Sequence, residues 1–208
     1  MTWTLTVTGS VVDLQLAQPH QISVLDIAHA LAHQCRFAGH TARHYSVAEH
    51  SLLVVEIIER EIAEHSPGTL LAALLHDAHE AYIGDITSPV KQALARIAAA
   101  DGRTTSDWAR IEANLQHDVM ARFGCLIDWE CRRDLIKTAD LIALATERRD
   151  LMPASGPSWP VLTGVAPVGW INLRDRDGLT HADWRQAYID KFVELYAMAA
   201  DGDLEAQP

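Results

Sequence analysis

The apolar positions of this chain recur at helical spacing over most of its length. The start is the exception: Trp3-Thr4-Leu5-Thr6-Val7 alternates with period two, Thr8-Gly9-Ser10 turns, and Val11-Val12-Asp13-Leu14 follows. That pattern predicts a small β-hairpin, ended by Pro19. Ser23 or Asp26 can cap the next helix, which runs roughly through Ile27-Ala28-His29-Ala30-Leu31-Ala32-His33. The stretch from Cys35 to Thr41 has a glycine and no periodicity, and is expected to be a loop. Ser46 is a good N-cap, with Glu49 three residues on to complete a capping box. The helix after it carries Val47, His50, Leu53, Val54, Ile57 and Ile58 on one face, so His50 sits inside an apolar stripe.

Ser66-Pro67-Gly68 ends that helix, and Thr69-Leu70-Leu71-Ala72-Ala73 opens another that places His76 and Asp77 at its far end. Asp77 follows the stripe of Leu70, Ala73 and Leu74, and His76 follows Ala72 and Ala73, so both polar groups face the packed side. Gly84 breaks the helix and presents Asp85 at its mouth. Further helices are expected from Pro89 to about Ala99, from about Asp107 to Phe123 with Gly124 as the stop, and from about Asp128 to Asp150. The last of these puts Ile136, Asp140, Ala143 and Leu144 on one face, so Asp140 is also core-facing. Residues 151–178 hold four prolines and read as a long irregular loop, the kind that serves as a lid or partner surface. A final amphipathic helix spans about His181 to Ala199, and residues 201–208 read as a flexible tail. The sum is an all-α domain with a minor N-terminal hairpin.

Length and composition narrow the class. The 208 residues suit one domain with a substantial core, residues 1–22 being a hairpin extension. An apolar share of 49% and a charged share of 22% are those of a soluble globular protein. No window approaches ~18 uninterrupted apolar residues, so no membrane span is expected. The N-terminus has neither the basic nor the apolar region of a signal peptide, and Cys35, Cys125 and Cys131 form no CxxC pair, which together predict reduced thiols in a cytoplasmic protein. A formal net charge of −11 argues against binding a nucleic-acid polymer, but not against a small anion held by a metal and a few local cations.

Three separate helices therefore place ionisable groups on apolar faces: His50, the His76/Asp77 pair, and Asp140. Singly, each has a plain structural explanation, as a satisfied core histidine or a paired aspartate. Converging in one helical core, two His and two Asp make a four-ligand site for Zn, Mn, Co, Fe or Ni. Glu80, four residues after His76, lies near enough to work beside the ligands.

The order His…His-Asp…Asp resembles the signature of the HD-domain metal-dependent phosphohydrolases. His76-Asp77-Ala78-His79-Glu80 through Gly84-Asp85, then Thr87-Ser88-Pro89-Val90-Lys91, is similar to the corresponding run of the YfbR-like 5′-deoxynucleotidases. Val47 to Ser51 and Lys137 to Asp140 look like the first-ligand and last-ligand segments. Arg36 to His40 resembles the phage and bacterial branch that includes deoxyadenosine triphosphohydrolases. The resemblance implies an HD helical bundle with His50, His76, Asp77 and Asp140 as metal ligands. It makes Glu80 and Asp85 the acid/base and water-orienting carboxylates, and Arg36 and Lys91 the phosphate holders, with Phe37 and His40 beside the substrate. His79 is expected to be structural or exposed, His44 is ambiguous, and Glu147, on the face of Asp140, pairs with an Arg or joins the site. For the base, Trp170, Phe37 and Tyr45 are stacking candidates.

The implied activity is metal-dependent hydrolysis of a deoxynucleotide, with release of phosphate from a dNMP expected first. The alternative is a triphosphohydrolase releasing tripolyphosphate from a dNTP, in which a second, Mg-like ion accompanies the bound triphosphate. A catalytically inactive nucleotide-binding scaffold is a further alternative. A cyclic-dinucleotide phosphodiesterase is disfavoured because the GYP-type signature is missing. The family resemblance also implies a homo-oligomer.

Overall fold

In the computed structural model the backbone is described for residues 2–205 and the side chains for residues 2–201. Strands β1 (Trp3–Leu5) and β2 (Val11–Asp13) form the expected antiparallel hairpin, with Trp3 opposite Asp13. Eight α-helices follow among the described residues: α1 (Val24–His33), α2 (Val47–Ile57), α3 (Pro67–Leu74), α4 (Glu80–Ile83), α5 (Ser88–Ala100), α6 (Asp107–Arg122), α7 (Leu126–Leu151) and α8 (His181–Glu205). The protein is thus all-α apart from the hairpin. No helix among the described residues is long and apolar enough to cross a membrane.

Local chemistry sets most boundaries. Ser23, rather than Asp26, caps α1 by accepting from the Leu25 N–H. Asp26 is buried and instead accepts from the Thr8 backbone N–H and hydroxyl at 3.0 and 2.8 Å, tying the hairpin to α1. Ser46 caps α2 by accepting from the Glu49 N–H at 3.1 Å. The expected capping box is only half formed, because the Glu49 carboxylate turns to Arg43, at 2.6 and 2.8 Å. A charged, bidentate donor is a stronger partner than one backbone N–H. The tail expectation also shifts: α8 continues to Glu205, and residues 206–208 lie outside the described residues.

Helices α2 and α3 are buried nearly all round and occupy the centre. Helix α7 packs on both, while α8 packs on α1, α2 and α3. Val54, Val55, Ile57, Leu71, Leu74, Ala139, Ala143 and Leu195 share one core, each at most 1% exposed. Truncating a leucine at such a place, Leu74 for example, costs about 2–5 kcal/mol. The segment after α7 is irregular yet well anchored. Arg149 donates to the Val168 and Ile171 carbonyls, the Asp150 carboxylate accepts from the Leu173 N–H, and Thr146 Oγ1 accepts from the Val168 N–H.

Candidate metal and phosphate site

The end of α3 falls two residues earlier than the apolar periodicity suggests. The helix stops at Leu74, and residues 75–79 form a tight turn whose N–H groups reach back three residues, as in His76 to Ala73 and Glu80 to Asp77. The carbonyls released there are not left bare. Tyr188 of α8 donates to Leu74 O at 3.0 Å, and Gln116 of α6 donates to Leu75 O at 3.0 Å. Those partners hold the turn buried and aim both His76 and Asp77 inward, satisfying the open end of the helix.

Three side-chain atoms, His50 Nε2, His76 Nε2 and Asp77 Oδ2, meet at that turn, and Asp140 Oδ1 comes up beside the first. His50 Nε2 lies 3.2 Å from His76 Nε2, 3.6 Å from Asp77 Oδ2 and 3.3 Å from Asp140 Oδ1, while His76 Nε2 lies 3.2 Å from Asp77 Oδ2. The ring protons point the other way. His76 Nδ1 faces the Ala73 carbonyl at 2.8 Å, which can only accept, and His50 Nδ1 faces the Glu147 carboxylate at 2.5 Å. Each imidazole is therefore oriented from behind, with Nε2 turned toward its neighbour. Lone pairs so close repel unless positive charge lies among them. The site draws such charge: burial and the Arg36 guanidinium push the His50 imidazole down, but Glu147 and Asp140 outweigh them and lift it to about 9. Against the effect of burial, His76, His50 and Arg36 hold the Asp77 carboxyl well below the usual range, and His50 does the same for Asp140. His50, His76 and Asp77 have the spacing of a metal site. Asp140 adds one oxygen on the His50 side and gives the other to Lys137 at 2.7 Å. A divalent ion of the kind that accepts imidazole and carboxylate fits this donor set.

Around the cluster, Arg36 enters from the loop after α1. That loop is closed by an isolated antiparallel bridge between Cys35 and Ser46 and by the Arg36 N–H donating to Tyr45 O at 2.9 Å. Phe37 and Ala38 both have left-handed backbone, φ +56° and +51°, a conformation costing roughly 1 kcal/mol or more for such residues. The strained turn sends the Arg36 guanidinium to Asp77 and Glu147, each at 3.4 Å, and leaves Arg36 Nε buried without a partner. Glu80, 3% exposed, likewise keeps Oε2 buried and unpartnered. Burial, then the Asp77 and Asp85 charges, raise the Glu80 carboxyl well above the usual range. Burial also raises the half-buried Asp85, against the pull of Arg36. Lys91, in the first turn of α5, reaches toward Glu80 at 3.8 Å but pairs closely with Glu112 of α6 at 2.7 Å.

The structure thus brings together Arg36, His50, His76, Asp77, Glu80, Lys91 and Asp140, with Asp85 near enough to feel their charges. His40 is different. It is exposed, and no bond from its ring to the cluster is present. His44 is exposed too. His79 is buried and structural, facing Gln116 Oε1 at 2.7 Å. Of the stacking candidates, Tyr45 is fully buried, Trp170 donates to Glu61 at 2.6 Å with the Arg60 guanidinium over its ring, and Phe37 is half-buried on the Arg36 loop. Its ring faces Trp159, centroid to centroid 6.0 Å, and Trp159 was not foreseen. Glu112 and Gln116 were missed as well. Their signal was available, since Gln116 interrupts the apolar stripe of Leu115, Val119 and Met120 on α6.

The sequence profile of the family described as 5′-deoxynucleotidase YfbR-like matches residues 33–148, more than half of the chain. The chain belongs to this family of metal-dependent phosphohydrolases in the HD-domain superfamily. Among curated proteins it is similar to YfdR of Escherichia coli (strain K12), 37% identical over 152 residues that cover 73% of this chain and 74% of YfdR. It is also similar to a Rhodobacter capsulatus protein, 35% identical over 153 residues, 72% of each chain. Both relatives are described as uncharacterized. The matched region runs from the loop of Arg36 to Glu147 and leaves out the hairpin and Trp159.

Proposed function

We propose that the protein is a 5′-deoxynucleotidase that releases phosphate from deoxynucleoside monophosphates, with His50, His76, Asp77 and Asp140 holding one divalent transition ion. The observation that carries this reading is the close grouping of His50 Nε2, His76 Nε2 and Asp77 Oδ2, both imidazoles tethered from behind, with an Asp140 oxygen 3.3 Å from His50 Nε2. When bound, the ion supplies positive charge against the phosphoryl oxygens and acidifies water toward neutral pH. The chain's own groups do the rest. Arg36 Nε, a buried donor without a partner, binds a phosphoryl oxygen, and Lys91 Nζ offsets charge on the side of Glu80. Glu80 Oε2, buried without a partner, takes up the proton of the attacking water, and burial with the Asp77 and Asp85 charges favours the protonated carboxyl that results. Asp85 orients that water from the mouth of the site. Phe37 and Trp159 offer an apolar wall for the nucleoside.

Charge favours the monophosphate over the triphosphate. The cations at the cluster are Arg36, Lys91 and Lys137, and each is already paired with a carboxylate. A dianionic phosphate can be shared among them and one metal ion, whereas a triphosphate needs further donors for its distal groups. The test is a pair of variants. Asp77→Asn is expected to lose both metal and turnover, and Glu80→Ala to keep metal while losing at least ~100-fold in rate. Full activity of Asp77→Asn would overturn the ligand assignment.

A further inference from the structure

Glu147 is a completely buried carboxylate that no step above uses. Its Oε1 accepts from His50 Nδ1 at 2.5 Å and from the Tyr45 hydroxyl at 3.0 Å. Its Oε2 faces Arg36 Nη2 at 3.4 Å. Glu147 lies two turns after Asp140 on α7, so one helix addresses both nitrogens of a single imidazole: Asp140 at Nε2, 3.3 Å, and Glu147 at Nδ1.

We propose that Glu147 is a positioning residue that couples the His50 imidazole to the Arg36 guanidinium, one buried carboxylate setting both the metal-facing nitrogen and the phosphate-facing arginine. The inference rests on the roles given to His50 and Arg36 in the nucleotidase reading. It also makes a distinction that a plain buried ion pair does not. In Glu147→Gln the amide has one oxygen and one NH2. His50 Nδ1–H and the Tyr45 hydroxyl both need an acceptor, so the oxygen stays with them and the NH2 turns to Arg36, donor against donor. The glutamine variant therefore cuts the arginine link and keeps the histidine link. Glu147→Ala cuts both. Tyr45→Phe removes one donor from Oε1 and leaves both links standing.

The experiment titrates Mn2+ into metal-free full-length protein by calorimetry, then inorganic phosphate into the Mn2+-loaded protein, for the parent and the three variants. Circular dichroism and Tm monitor folding. Glu147→Gln is expected to keep its Mn2+ dissociation constant within about threefold while phosphate binding weakens roughly tenfold or more. Glu147→Ala is expected to lose about 10–100-fold in Mn2+ affinity as well. Tyr45→Phe should match the parent in both titrations. If Glu147→Ala does not fold, the glutamine variant decides alone. Phosphate binding unchanged in Glu147→Gln, with only Tm lowered, would reduce Glu147 to a structural pair and overturn the coupling. A parent that binds neither Mn2+ nor phosphate overturns the nucleotidase reading itself, and the coupling with it.

Discussion

Replacing Glu49 with alanine separates two descriptions of the start of α2. If the carboxylate closed a capping box, its loss would cost about 0.5–2 kcal/mol. In the structure it is fully buried and bound by Arg43 Nη1 and Nη2 at 2.8 and 2.6 Å. Burial raises the Glu49 carboxyl even against that guanidinium, so the ionised form depends on its partner. Removing one side of such a pair costs about 3–5 kcal/mol, because the other charge is left buried. Arg43 keeps some support, since it also donates to Leu173 O at 2.7 and 3.1 Å and to His44 O at 2.7 Å. The lower end, about 3 kcal/mol, is therefore expected, which lowers Tm by roughly 6–12 °C in a domain of this size. Urea and thermal unfolding of the parent, Glu49→Ala and Glu49→Gln provide the measurement, the glutamine retaining one acceptor and losing less. A loss of about 1 kcal/mol or less in Glu49→Ala would refute the pairing argument and restore the box.

Metal should stabilise the fold: at a free Mn2+ concentration a hundred times its dissociation constant the gain is about 2.7 kcal/mol, read as a rise in Tm that Asp77→Asn abolishes. An unchanged Tm in the parent would contradict the ligand cluster. Gln116→Ala takes away the partner of His79 Nδ1 and one of the two donors to the Leu75 carbonyl, which keeps the Ala78 N–H at 3.0 Å, and should cost about 1–3 kcal/mol in urea unfolding; a loss under about 0.5 kcal/mol would show that the turn does not depend on α6. Acid stability should depend on Asp150, whose carboxyl is held low by Arg149 and the Leu173 N–H against the effect of burial. A lowered folded pKa means stability that is present above about pH 4 and lost as pH falls through the folded value. Asp150→Asn should therefore flatten the fall in stability below about pH 4, and an identical slope would count against the assignment.

The helices were legible because their apolar periodicity is strong and their caps conventional, as at Ser23 and Ser46. His50, His76, Asp77 and Asp140 stood out as polar groups on apolar stripes; the first three lie together in the structure, with Asp140 against His50. What escaped reading depends on contacts distant in sequence. The turn at residues 75–79 interrupts α3 because α6 and α8 supply donors to its carbonyls, information that no local window holds. The Glu49 carboxylate left its box because Arg43 competes, and Phe37 and Ala38 take left-handed backbone that their side chains do not advertise. Glu147 was visible only as a neighbour of Asp140 on the helix face. Its bonds to Tyr45 and His50 cross about a hundred residues.

The central claim is tested most directly by turnover of the purified, Mn2+-loaded protein on every dNMP and dNTP, with orthophosphate and tripolyphosphate resolved. The account predicts orthophosphate from the monophosphates, abolished in Asp77→Asn. Tripolyphosphate from a dNTP with the monophosphates untouched would contradict it.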